Sequence, residues 1–380
     1  MSQRDFQRTL SDSSAHLSRP TGWWSYTHLD AWLLMLLLAL CGYGLFVLYS
    51  ASGQDWGYVQ RQTIRMGAGF LVMIVLAQLR PRTFQRLGPW AYAAGCALLV
   101  GVLLFGVGAK GAQRWIEFGG FRFQPSEILK LVLPLMVGGY LARKALPPTL
   151  PRLLIALGLI GLPTALIMKQ PDLGTSLLIA ASGVFVILLS GVYWRWIFLA
   201  GALAAAALPG LWMIMKEYQR QRVLTFLDPE SDPLGAGWNI IQSKTAIGSG
   251  GLSGKGWLHG TQSQLDFLPE SHTDFIIAVI GEELGMTGVI VLLALYLLII
   301  GRGLFIAVQA QDSFSRLVAG SVTLTFFVYV FVNIGMVSGL LPVVGVPLPM
   351  VSYGGTSIVT LMAGFGILMS VQTHRQMLVR

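Results

Sequence analysis

Ten apolar runs separated by short polar breaks organise the chain from residue 31 to residue 372. They lie near 31–50, 66–79, 89–107, 125–142, 153–168, 173–190, 196–215, 274–300, 317–338 and 356–372. A helix needs about 20 apolar residues to cross the hydrocarbon core of a bilayer. Each run therefore predicts a transmembrane helix, although 66–79 and 153–168 are short enough to need help from their flanks. The fold class that follows is an all-α polytopic membrane protein with ten transmembrane helices. An even number of spans puts both termini on one side. The Lys and Arg residues of the flanks and short loops assign that side to the cytoplasm by a narrow majority.

The polar segments then divide the chain. Residues 1–29, rich in Ser and Arg, read as a disordered cytoplasmic tail, 30–374 as a ten-span membrane domain and 375–380 as a second cytoplasmic tail. One large extra-cytoplasmic loop, 216–273, joins spans seven and eight. Long loops translocate largely regardless of charge, so the cations in this loop and in 108–124 need a different reason to be there. An anionic ligand at the outer face supplies one.

Composition agrees with the pattern. Of 380 residues, 54% are hydrophobic and 11% charged, with a mean hydropathy of +0.66, whereas a soluble chain spends about a quarter of its residues on charge. Cys41 and Cys96 both lie inside apolar runs, which suggests no disulfide framework. The first run follows some 30 mostly polar residues and is long enough to span, so it is not a secretory signal. Leu40 is too bulky for a lipoprotein cleavage site before Cys41. The net charge of +9 points to anionic headgroups or substrate. Nucleic acid is disfavoured because the charge is not gathered into one soluble basic domain.

Candidate chemistry concentrates in the outer loops. In GAKGAQRWIEFGGFRFQPSEILK (108–130), Gly residues bring backbone close to a ligand, and Arg114 and Arg122 are the residue type suited to bidentate phosphate binding. The plainer account is snorkelling, with the stems on apolar surface and the heads among lipid headgroups. Glu127 and Lys130, three apart on a helix, can form an ion pair, which is as consistent with structure as with function. Arg220 and Arg222 lie at the outer end of span seven. GSGGLSGKGWLHG fails as a phosphate-binding loop, because Ser249 stands where Gly is needed and Gly256 where Ser or Thr is needed. His259 and His272 lack metal-ligand spacing.

The acids Asp266, Glu270 and Asp274 remain. A loop acid is usually just solvated, which suits Glu270. Asp274 sits where the chain enters lipid, and partial desolvation there raises a carboxyl pKa towards that of a useful base. Glu282 and Glu283 lie about 12 Å deeper along a helix, so pairing inside the bundle suits them better than chemistry.

The motifs GAQRW, FRFQPSE, KQPDLGTS, YQRQRV, FLDPESDPLGAGWNIIQS, GSGGLSGKGWLHGTQSQLDFLPESHTDF, GEELG and NIGMVSGLLPVVGVPLPMVSYGG run in order from about Asp30 to His374. Together they resemble the SEDS family (shape, elongation, division, sporulation). The stretch GKGWLHGTQSQLDFLPE is similar to its elongation branch, where the division branch usually carries GLGxSxQK. The resemblance implies a ten-span peptidoglycan glycosyltransferase that polymerises lipid II at the outer face of the bacterial inner membrane. It implies a class B penicillin-binding protein as partner (the transpeptidase penicillin-binding protein 2), together with the other proteins of the elongation complex. Family-critical positions carry over onto Asp274 as catalytic residue and onto Asp266, Arg114 and Arg122. The division branch often has Lys at Arg122 and Glu at Asp266, swaps that keep the sign of charge.

These readings combine into one expectation. Asp274 is the general base, Arg114 and Arg122 bind pyrophosphate with Arg220, Arg222 and Asp266 in support, and Glu127, Lys130 and Glu282 are structural groups within the membrane. No preformed carboxylate cage for a metal is visible, so no cofactor is assigned, although a divalent cation (Mg or Mn) could share the pyrophosphate. The rival reading is a lipid II flippase. It is disfavoured because the acids and cations lie at the outer surface rather than at the midplane where transporters bind substrate.

Overall fold

The structure, a computed structural model, describes residues 27–109, 112–118, 121–215, 217–228, 236–264 and 270–374. The tails read at 1–29 and 375–380 fall almost wholly outside them, as does Asp266. Every apolar run is helical. The helices are α1 (Ala31–Ala51), α2 (Trp56–Gln78), α3 (Pro81–Phe105), α4 (Pro125–Leu141), α5 (Leu150–Lys169), α6 (Leu173–Leu189) and α7 (Trp194–Ile214) in the first part. After them come α8 (Glu217–Leu227), α9 (Ala236–Gly250), α10 (Thr261–Gln264), α11 (Ile276–Glu283), α12 (Gly285–Val308), α13 (Ser313–Val337) and α14 (Thr356–Thr373). Six of these (α1, α3, α5, α12, α13 and α14) are long and apolar enough to cross a membrane, which makes this a multi-pass membrane protein.

Helix starts follow local chemistry. Pro81 and Pro125 occupy the first position of α3 and α4, where the missing N–H costs nothing. The carboxylates of Asp30, Asp172 and Asp312 cap α1, α6 and α13 through the N–H groups of Leu33, Thr175 and Ser315, each satisfying a donor the helix leaves open. α11, α13 and α14 lie deep in the bundle, and all eight residues of α11 are buried. One core joins α1, α2 and α11–α14, and a second joins α3–α6.

Four segments depart from the expected pattern. The run at 66–79 extends back to Trp56, because the polar residues of its first turns find partners on another segment: Gln62, fully buried, donates to Ser352 O at 2.9 Å. The stretch 107–123, expected to be irregular, contains a small antiparallel sheet in the order β1 (Val107–Ala109), β2 (Ala112–Phe118), β3 (Phe121–Phe123), so the protein is not purely helical. The loop 216–273 carries α8, α9 and α10. The run at 274–300 is broken between α11 and α12 at Leu284 and Gly285, where Gly285 takes φ +65°.

That break accounts for the glycines of GSGGLSGKG. The N–H groups of Lys255 and Gly256 donate to Glu282 O and Glu283 O at 3.0 and 2.9 Å, while those of Met286 and Thr287 donate to Gly251 O and Leu252 O at 3.0 and 3.1 Å. Backbone groups released by a broken helix in an apolar setting must be satisfied within the protein, and this loop satisfies them. The approach is too close for side chains. A Cβ on Gly254 would lie 2.1 Å from Glu283 O, and one on Gly250 would lie 1.9 Å from Gly281 O.

Candidate active site

Asp274 lies in the turn that enters α11, at the end of the bundle where α1 finishes and α2 begins. Glu270 opens the turn at φ +61°, with the N–H groups of Thr273 and Phe275 returning to Glu270 O. The turn exposes three successive carbonyls, and the last part of the chain holds all of them. Tyr353 N donates to His272 O at 2.8 Å, Ser352 Oγ donates to Thr273 O, and Asn333 Nδ2 donates to Asp274 O at 2.9 Å. Asn333, fully buried in α13, also donates to Val346 O at 2.7 Å, and Ser352 Oγ accepts from Leu348 N at 2.8 Å. These bonds join the turn to the Pro- and Gly-rich segment 338–355, which is irregular in path yet buries Val346, Leu348, Met350 and Val351. Gly345, at φ +71°, passes so near the carboxylate that an added Cβ would lie 3.4 Å from Asp274 Oδ2. The backbone of the half-buried Asp274 is thus fixed on both sides of the turn, as a positioned acid–base group requires.

Arg114 lies on β2 and Arg122 on β3 of the small sheet before α4, where Arg122 is the register partner of Glu117. Arg220, on α8, turns back on the preceding helix, its Nε and Nη2 donating to Trp212 O and Met213 O at 3.0 and 2.8 Å. It caps the last carbonyls of α7. Arg222 is also on α8.

The acids deeper in the bundle have defined partners. Glu282, fully buried, accepts from Lys255 Nζ at 2.7 Å and from the Thr261 and Gln262 N–H groups at 2.8 and 3.0 Å. Glu283 accepts from Ser50 Oγ at 2.6 Å and Leu258 N at 3.3 Å. Both glutamates fasten loop 251–262 to α11. Glu127 and Lys130 form an i, i+3 ion pair of 2.6 Å on α4. Thr360 donates to Glu127 at 3.1 Å, and Lys130 Nζ lies 4.9 Å over the Tyr329 ring. A cavity of about 20 Å³ beside Lys130, Thr325, Tyr329 and Thr360 has room for a water molecule and not for a sugar.

Sequence reasoning passed over Asn333, Ser352 and Tyr353. The available signal was a lone Asn inside an apolar span, since a polar side chain there needs partners. It also passed over Tyr58, Arg61 and Arg65 on α2.

With the geometry in place, comparison with known proteins places the chain among relatives. The cell cycle protein family model for FtsW, RodA and SpoVE matches residues 31–377. The chain is 59% identical over 356 residues to the peptidoglycan glycosyltransferase MrdB of Escherichia coli K12, covering 93% of this chain and 96% of that protein. It is 36% identical over 372 residues to a probable peptidoglycan glycosyltransferase FtsW of Geobacter metallireducens, with 91% and 95% covered. Among solved structures, it superimposes on a chain of a peptidoglycan synthase complex, described as coordinating polymerisation and crosslinking, with a TM-score of 0.81 at 32% identity over 92% of this chain and 99% of that one. The rod shape determining protein RodA of Thermus thermophilus gives a TM-score of 0.70 at 28% identity over 92% and 98%.

Proposed function

The chain belongs to the cell cycle protein family of FtsW, RodA and SpoVE, and from that premise we propose how it works as a peptidoglycan glycosyltransferase. It polymerises lipid II into glycan strands during cell elongation, with ten spans, both termini in the cytoplasm and the Asp274 end facing outwards across the bacterial inner membrane. The observation that carries the reading is the clamp on the His272, Thr273 and Asp274 carbonyls, which holds one carboxyl group at the mouth of the bundle.

Asp274 takes the proton from the acceptor's sugar hydroxyl. The freed oxygen pair forms the new glycosidic bond at the donor's anomeric carbon, and the bond to undecaprenyl pyrophosphate breaks with inversion. Negative charge grows on the departing diphosphate, where fixed cations stabilise the transition state most. Arg114 and Arg122 are first in this role and Asp266 supports the acceptor. Arg220, whose donors already cap α7, contributes less, as does its neighbour Arg222. Among the described residues, no group of three His, Cys, Asp or Glu side chains converges to hold a metal. A Mg or Mn ion would rest mainly on substrate phosphates and one carboxylate, a common Mg arrangement. It would neutralise leaving-group charge, and titrating a chelator against polymerisation tests for it.

The partner is a class B penicillin-binding protein, with the elongation-complex proteins around it. Its membrane helix docks on the lipid-facing residues of α12 and α13, where Ile290, Leu297 and Phe331 are exposed. A charge at Leu297 is expected to abolish co-purification, and an intact complex would move the interface elsewhere. The reaction is tested with purified protein, its penicillin-binding partner and lipid II in detergent, where a flippase has nothing to do. A general base contributes about 10²–10⁴-fold, so Asp274→Asn should lose that much, and polymerisation at the wild-type rate would remove Asp274 from the role.

A further inference from the structure

Three residues of α2 face the segment that clamps Asp274. Tyr58, Arg61 and Arg65 are spaced three and four apart, which stacks them on one helix face. Opposite them stand Tyr353 and Gly354 of the 338–355 segment and His272 of the turn. The Arg61 guanidinium lies 4.8 Å over the Tyr58 ring, and that of Arg65 lies 4.6 Å over the Tyr353 ring. The Tyr58 ring meets both His272 and Tyr353 edge-on at 5.0 Å.

This group carries two positive charges, and among the described residues neither has an ion-pair partner. Arg61 uses Nε on Tyr353 Oη at 3.2 Å, and Arg65 uses Nη1 on Gly354 O at 3.3 Å. The nearest acid on the same segment, Asp55, accepts from Gly57 N at 2.7 Å as the cap of α2, and its charge reaches Arg61 without closing an ion pair. Arg61 is exposed and Arg65 half-buried, so the forks are accessible. Like charges four apart on a helix repel each other, and bracing the loop does not require them. Gln62, between them, already does that, donating to Ser352 O and accepting from Gly354 N at 3.3 Å.

We propose that Arg61 and Arg65, floored by Tyr58, Tyr353 and His272, form a second anion site that takes the phosphate or diphosphate of a lipid headgroup. The inference rests on the glycosyltransferase reading. Joining two lipid-linked sugars brings two diphosphates to one active site, and the β2–β3 arginines account for one of them. Guanidinium forks match phosphate oxygens bidentately. The site is coupled to the base by a short path, since Tyr353 N holds His272 O and Ser352 holds Thr273 O. A phospholipid headgroup presents the same phosphate ester, so the experiment needs an arm for each source.

The test counts bound lipids on the full chain by native mass spectrometry, which needs no turnover. With undecaprenyl diphosphate as probe, the wild type is expected to bind two molecules and the Arg61→Ala/Arg65→Ala double variant one. Arg61→Lys/Arg65→Lys, which keeps the charge, retains the second molecule, and so does Gln62→Leu, which loosens the loop without removing charge. In a parallel arm with phosphatidylglycerol, loss of a bound lipid there and not with undecaprenyl diphosphate identifies the phosphate as that of a phospholipid. The proposal is overturned if the double alanine variant binds both probes as the wild type does, or if Gln62→Leu loses the second molecule equally. Failure of the wild type to make glycan from lipid II would count against the glycosyltransferase reading alone, because the binding counts stand without it.

Discussion

Asn333→Leu removes the one side chain that ties the Asp274 backbone to the 338–355 segment while nearly preserving its volume. Val346 O, in a buried bond, and Asp274 O, in a partly buried one, lose donors at 2.7 and 2.9 Å. A buried polar group left unsatisfied costs about 1–3 kcal/mol, so the variant should be about 1–3 kcal/mol less stable for Val346 O, with a smaller addition for the partly solvated Asp274 O. The catalytic effect is separate from this loss. With Ser352 and Tyr353 still holding the two preceding carbonyls, the turn persists but its last peptide is released, and a misplacement of about 1 Å costs on the order of 10²-fold in rate. The assay is polymerisation of labelled lipid II by the purified, partner-bound variant at a temperature where size-exclusion profiles show it folded. Turnover should fall about 10²-fold at saturating substrate, with KM little changed because the arginines are untouched. If folded Asn333→Leu turned over at the wild-type rate, the clamp would have no part in positioning the base.

Three further outcomes are expected. Gly254→Ala forces a Cβ against Glu283 O and gives an L-residue a φ of +79°; overpacking alone costs about 1–3 kcal/mol, so the thermal midpoint in detergent should drop sharply, whereas Gly42→Ala, with open space around it, should leave it unchanged. Glu282→Leu strands Lys255 and the Thr261 and Gln262 N–H groups; removing one partner of a buried pair costs about 3–5 kcal/mol, less here because Lys255 is partly exposed, and limited proteolysis should newly cut between 252 and 262. At the other end of the bundle, His374 stacks on His28 at 4.1 Å, and burial, with the neighbouring His28, pushes its imidazole below the ordinary value. The native state then binds fewer protons than the unfolded chain, so stability fully present above about pH 6.5 is lost as the pH falls below it, towards the lower folded-state value. The thermal midpoint of the wild type should fall from pH 7.5 to 5.5 more than that of His374→Phe.

The helices were legible because lipid imposes a length and an apolar composition that need no knowledge of neighbours, and every run is helical, with that at 274–300 divided between α11 and α12. What the sequence concealed depended on distant partners. No Pro marks the break at Gly285, and its glycine looks like any other helical glycine until Gly254, some thirty residues earlier, is brought against it. GSGGLSGKG could be rejected as a phosphate loop from spacing alone, but its use as a backbone dock could not be seen. The small sheet was hidden in a segment whose glycines and aromatics suggest turns and a membrane interface. Asp274 stood out through its place at the threshold of a span, whereas Asn333, Ser352 and Tyr353 matter through hydrogen bonds across 59 to 81 positions of sequence, a separation with no local signature.

That separation sets an order of assembly. The dock of residues 250–256 on the α11–α12 break joins segments about thirty positions apart, so it can form as soon as α12 has entered the membrane. The carbonyls of His272, Thr273 and Asp274 must wait for residues 333–353, close to the end of the chain. A chain halted before Asn333 therefore already has a seated α11 and an unfastened Asp274, and the clamp closes only once residues 333–353 have been made.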